Sequence, residues 1–170
     1  MKLRRLVLRM RSVGPLRPVA TFLLAVLGSD VPSVVQIGHG FDLAHGGIGV
    51  VIHEQTTIGK NVRIYQGVTL GRANAWQRPR DDFEGFRLDD HCVIGAGAAI
   101  LCTSGLVHLG EGTVVGANAV LRESTPPWTI WAGNPARCVG TREPIAADGE
   151  LLSKEILETD PKGSLQGENQ

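Results

Sequence analysis

The chain has 170 residues, enough for one domain with its own core and too few to expect two. Lysine plus arginine equals aspartate plus glutamate at 17 each, so the overall balance gives no signal for nucleic acid, a polyanionic partner or an acidic substrate. Three cysteines, Cys92, Cys102 and Cys138, lack any metal-ligand spacing, and an odd count without a dense disulfide framework fits a reducing compartment, hence a cytoplasmic location.

Charge is uneven along the chain. Lys2, Arg4, Arg5, Arg9, Arg11 and Arg17 precede Asp30 with no acidic counterpart, whereas the stretch after Gly140 leans acidic. The basic start and the apolar run from Val19 to Leu27 raise the question of a secretory signal, but the run is far short of the ~20 residues that span a bilayer. The expectation is a short helical segment over residues 1–29 that docks on the domain, split or ended by Gly14, Pro15 and Pro18. Contact between its basic face and a membrane surface is the lesser reading.

From Ile37 onward an aliphatic residue recurs every sixth position. Ile37 and Leu43 begin the pattern; Ile52, Ile58, Ile64 and Leu70 continue it; Leu88, Ile94 and Ile100 follow, and then Leu109, Val115 and Leu121. A six-residue period suits neither a helix of 3.6 residues per turn nor a long alternating strand. It suits short strand, turn, short strand, with the aliphatic residue inward and a small one such as Val62, Val68, Ala98 or Ala119 at the next bend. Glycines directly after the inward residue, Gly59, Gly71, Gly95, Gly110 and Gly116, leave room for a tight backbone path. Three such sides close a triangular coil of about 18 residues, and stacked coils make a parallel β-helix whose ends need caps.

Residues 72–87, "RANAWQRPRDDFEGFR", refuse the repeat and read as a charged loop thrown out from a corner of the prism. The step from Leu70 to Leu88 equals three periods, so the register is expected to carry across that loop. The prism spans 30–140. A C-terminal helix beginning near Asp148, with Leu151, Leu152, Ile156 and Leu157 at helical spacing, and a flexible tail complete 141–170.

The segments "IGKNVRIYQGVTLG", "VIGAGAAIL", "VVGANAVL" and "WAGNPARCVG" resemble the hexapeptide-repeat acyltransferases. With "DVPSVVQIGHGFDLAHGGIGVVIH" before them, their order is similar to the serine O-acetyltransferase branch, over about residues 28–140. The resemblance implies an all-β chain built as a left-handed parallel β-helix, a homotrimer, and active sites in the clefts between neighbouring prisms with acetyl-CoA as co-substrate. It implies no metal.

Acetyl transfer to a hydroxyl needs a base, and imidazole titrates in a suitable range. By resemblance the base falls on His45 and the carboxylate that orients it on Asp30; taken alone, His45 also reads as a histidine hydrogen-bonded at an interface. His39 competes with it, while His53, His91 and His108 read as packing on outer corners. The resemblance places the acyl-CoA contacts at Gly71, Arg72, Ala96, Ala98 and Ala117, through peptide groups, and at Arg137, facing a phosphate.

Three departures bear on the acceptor. The family's large N-terminal helical domain has no counterpart in the thirty residues before the first coil; Ala44 stands where serine enzymes carry an aspartate; and "FEG", Phe83 to Gly85, replaces an Asp-Arg-His segment. Recognition of a small zwitterion depends on paired charges. Ala44, Trp76, Arg78 and Arg87 are therefore the candidate acceptor-side residues, with Phe83 and Phe86 as a further aromatic surface. The expected function is O-acetylation of a small-molecule or glycan hydroxyl, the alternative being serine O-acetylation in cysteine biosynthesis. A carbonic-anhydrase-type metalloenzyme using His39, His45 and His53, and a noncatalytic trimeric scaffold, are the readings from other classes.

Overall fold

The computed structural model describes Val7, Met10, residues 14–77 and residues 82–144. A short 3-10 turn, Gly14–Leu16, leads into helix α1, Arg17–Val26. Val7 and Met10 are helical, so the break at Gly14–Leu16 separates them from α1 as expected, with Pro18 in the first turn of α1, where a missing N–H costs nothing. Ala20 and Leu24 face inward from α1 and are fully buried, capping the first coil.

Strands follow in chain order as β1 (Gln36–Ile37), β2 (Asp42–Leu43), β3 (Val51–Ile52), β4 (Thr56–Ile58), β5 (Arg63–Ile64), β6 (Thr69–Arg72) and β7 (Phe83–Leu88). They continue as β8 (Val93–Ile94), β9 (Ala99–Cys102), β10 (Gly105–Leu109), β11 (Val114–Val115), β12 (Val120–Leu121), β13 (Thr129–Gly133) and β14 (Ala136–Thr141). From β1 to β12 successive strands belong to different sheets, and every third one stacks on its predecessor. The first sheet runs β1-β4-β7-β10, the second β2-β5-β8-β11-β13-β14 and the third β3-β6-β9-β12. All pairs are parallel except β13 with β14, which fold back to close the end. The fold is the left-handed parallel β-helix expected from the resemblance.

The six-residue period is the cause of this stacking. Ile37, Ile58, Leu88 and Leu109 are in register on the first sheet. Leu43, Ile64, Ile94, Val115 and Trp131 share a column on the second, and Ile52, Leu70, Ile100 and Leu121 on the third. Each fully buried member contributes roughly 1.5–3 kcal/mol relative to exposure. Val62, Val68, Cys92, Ala98, Thr113 and Ala119 fill the bends between columns and are all fully buried. A Cβ at Gly95 would lie 2.6 Å from the Ala117 nitrogen of the next coil, so the absence of a side chain there is what lets the coils approach.

The loop departs from expectation in two ways. Leu88 pairs with Ile58 on the first sheet, not with Leu70 on the third. The 18 positions from Leu70 to Leu88 therefore advance the chain by one side of the triangle instead of three, and the surplus forms the excursion. The excursion is also narrower than 72–87: residues 83–87 already belong to β7, and Phe83 and Phe86 are buried, 7% and 2% exposed. They pack against the prism and offer no aromatic surface to a ligand. The C-terminal helix expected from Asp148 and the tail lie outside the described residues.

Candidate active site

His45 follows β2 in a four-residue turn, Ala44–Gly47, that makes the step from Leu43 to Ile52 nine residues where the repeat uses six. The extra residues push the turn outward at the corner between the second and third sheets. His45 itself has φ 50° and ψ 24°, a left-handed conformation that is uncommon without glycine and that persists only where surrounding structure holds it. Its side chain is exposed, and its ring sits 5.7 Å from that of Tyr65, one coil further on.

The turn is held from beneath. The buried Ser29 hydroxyl donates to the Gly47 carbonyl at 2.7 Å. The Gly49 N–H donates to the Gly28 carbonyl, the Asp30 N–H to Val50, and the Ile52 N–H to Asp30. Gly47 has φ 64°, and a Cβ there would lie 3.0 Å from the Leu43 side chain, so any other residue would strain the backbone and crowd Leu43. Segment 28–30 is thus laced to segment 47–52, which puts Asp30 and the His45 turn on one rigid unit. Among the described residues no hydrogen bond joins the Asp30 carboxylate to the His45 imidazole; the backbone, not a closed dyad, relates them.

The three histidines weighed as metal ligands occupy three different corners of one coil, and among the described residues no group of three His, Cys, Asp or Glu side chains converges. His39 lies at the corner between the first and second sheets, where its carbonyl accepts from Asn61. His53 lies at the corner between the third and first. There it packs edge-on against Phe83 at 5.0 Å and near Phe86 at 6.2 Å, with Nδ1 accepting the Gln55 N–H. Burial lowers the His53 pKa below its ordinary value; Glu54 opposes this, and the Arg72 charge adds to it. His91 stacks on Trp128, and His108 Nε2 meets Asp89 at 2.7 Å.

The residues expected on the acyl-CoA side are dispersed along the solenoid. Gly71 and Arg72 end β6, where the Arg72 guanidinium reaches Asn74 at 3.2 Å and the Gln77 carbonyl at 3.3 Å and lies over the Phe83 ring. Arg72 thereby anchors the base of the excursion. The Ala96 carbonyl accepts from Asn118, and Ala117 is exposed one coil beyond. Ala98 is fully buried, its N–H committed to Gly95 and its carbonyl to Thr69, which leaves only a second carbonyl lone pair to offer. Arg137 is exposed and 3.7 Å from Glu123, an ion pair weak enough to yield to a phosphate.

On the acceptor side, Ala44 is half-buried beside His45, and Trp76 is 80% exposed on the excursion. Arg78 lies outside the described residues. Arg87 is not brought to His45 within this chain: it sits on β7 of the first sheet, the side of the triangle opposite the His45 corner. There it pairs with Asp89 at 3.0 Å beside a depression of about 430 Å³ that Asp90 and Glu111 also line. Two residues were missed in the sequence. Tyr65 shows only as the residue after inward Ile64, and Ser29 only as the neighbour of Asp30.

No family model matches the chain. The serine acetyltransferase of Mycobacterium tuberculosis is 35% identical over 128 residues, 75% of this chain and 52% of that one. A crystal structure of serine acetyltransferase from Brucella abortus in complex with coenzyme A is 28% identical with a TM-score of 0.59, covering 74% of this chain and 46% of that one. The soybean serine acetyltransferase complexed with serine is 38% identical with a TM-score of 0.59, covering 72% and 49%. The chain spans 52–62% of the length of the curated relatives from M. tuberculosis and Helicobacter pylori. With the inward columns in place, the chain is similar in sequence and fold to the hexapeptide-repeat acyltransferases of the serine acetyltransferase-like branch.

Proposed function

We propose that the protein is an acetyl-CoA-dependent O-acetyltransferase with His45 as its general base. The observation that carries this reading is His45 itself: an exposed imidazole in a left-handed backbone conformation, on a turn laced to the segment bearing Asp30. In the proposed reaction the imidazole takes the acceptor hydroxyl proton as that oxygen attacks the thioester carbonyl. The tetrahedral intermediate then collapses, the C–S bond breaks, and the imidazolium returns the proton to the departing thiolate. Asp30 steadies the charged imidazole.

The chain acts as a homotrimer in this proposal, in the cytoplasm, with coenzyme A lying along the prism past Gly71, Arg72, Ala96 and Ala117 and a phosphate at Arg137. The coenzyme A complex of the Brucella relative supports the donor.

L-serine is the first acceptor to test. The relatives named as serine acetyltransferases, and the soybean enzyme bound to serine, favour it over the broader expectation of a small-molecule or glycan hydroxyl. That broader reading keeps one specific support: Ala44 supplies no charge beside His45, where a zwitterion would need one. Release of free CoA thiol from acetyl-CoA, measured with serine and with a panel of sugars, separates the two. Turnover with serine alone supports the first, turnover with a sugar alone the second, and no turnover with any hydroxyl defeats the proposal.

A further inference from the structure

The turn that carries His45 gives its imidazole little to lean on. Ala44 precedes it and Gly46 and Gly47 follow, so no neighbour within Ala44–Gly47 offers more than a methyl group. An exposed imidazole on such a turn is free to exchange among staggered rotamers, whereas a general base must meet the proton it takes in one orientation. Among the described residues the His45 imidazole has no hydrogen-bond partner, and the ring it meets is that of Tyr65, with centroids 5.7 Å apart and planes tilted by 45°.

Tyr65 stands on firmer ground. It follows Ile64, which is fully buried in the second column, and its own N–H donates to the Ile94 carbonyl of the next coil at 3.0 Å. Two residues further on, the Gly67 N–H donates to the Ile48 carbonyl at 2.9 Å, so the Tyr65 corner is bonded directly to the end of the His45 turn. The phenol ring is therefore mounted on regular repeat geometry, and the imidazole on the irregular turn beside it. Tilted ring pairs roughly 4.5–7 Å apart attract one another beyond the area they bury.

We propose that Tyr65 is a positioning residue for His45: its ring packs against the imidazole and narrows its rotamers, so that a ring nitrogen is presented to the acceptor hydroxyl. This role rests on the reading of His45 as general base. The contact is made by the ring and not by the hydroxyl, so phenylalanine should serve in its place.

The test is a double-mutant cycle of His45→Ala and Tyr65→Leu, with Tyr65→Phe as the conservative variant and Tyr65→Met in place of leucine should thermal unfolding show that Tyr65→Leu does not fold. CoA release is followed with the acceptor that supports turnover. Tyr65→Leu is expected to lower kcat about tenfold or more while KM for acetyl-CoA stays within about twofold, and Tyr65→Phe to keep at least about half of the wild-type kcat. In the His45→Ala background, where no imidazole remains to be positioned, Tyr65→Leu should cost nothing further. Independently of any acceptor, the His45 ring-proton resonance should move in Tyr65→Leu and hold its place in Tyr65→Phe. Wild-type kcat in folded Tyr65→Leu would overturn the proposal, as would a loss that persists in the His45→Ala background or one that Tyr65→Phe shares in full. Each of those results leaves His45 as the base, whereas full activity of His45→Ala removes the base and the positioning role together.

Discussion

The Ser29 hydroxyl donates to the Gly47 carbonyl across 18 positions of sequence, at 2.7 Å and in the buried interior. It joins the residue before Asp30 to the turn that carries His45 and, with the backbone bonds between segments 28–30 and 47–52, holds together the two groups proposed to act together. Ser29→Ala removes the donor and leaves a buried carbonyl short of a partner. The expected cost is about 1–3 kcal/mol, read as a lower urea midpoint, together with a fall in kcat that exceeds any change in KM. Unchanged stability and turnover would show that the turn holds its shape without this tie.

Acidification probes the aromatic corner at His53. Its pKa is lowered in the folded chain, chiefly by burial, so between that value and the ordinary one the unfolded chain binds the extra proton. Stability from this group is therefore complete above the ordinary histidine range and is lost as pH falls below it and through the lowered value. Urea midpoints at several pH values should drop more on acidification for the wild type than for His53→Gln, which does not titrate. Parallel profiles would mean that His53 protonates as freely folded as unfolded.

The thiols differ in the same physical way. Burial pushes Cys92 up to about 12 and raises Cys102, while Cys138 is exposed. A disulfide reagent at mildly alkaline pH should titrate one thiol quickly in the native protein and all three after denaturation. Rapid native reaction of two or three would indicate that the coils around Cys92 and Cys102 open readily.

The prism was legible in the sequence because its interior imposes one requirement repeatedly: a large aliphatic side chain at every sixth residue, as Ile58, Ile64 and Leu70 show. What could not be read was pairing. Eighteen residues between Leu70 and Leu88 satisfy the period whether the chain completes a coil or makes one side and an excursion, and only the partner of Leu88, Ile58, tells these apart. Phe83 and Phe86 looked available for a ligand because nothing local marks where the excursion rejoins β7. His45 was reachable through resemblance alone, since periodicity is silent about a turn that breaks the period. The Ser29 tie left no trace, for a serine next to a turn has many possible partners.

The central claim is that the imidazole of His45 takes the acceptor's proton. Its side chain is exposed and carries none of the inward columns, so His45→Ala should melt close to the wild type. With acetyl-CoA and the acceptor that supports turnover, the account predicts a loss of about 10²–10⁴-fold in the rate of CoA release for a variant that folds normally. Wild-type turnover by that folded variant would contradict it.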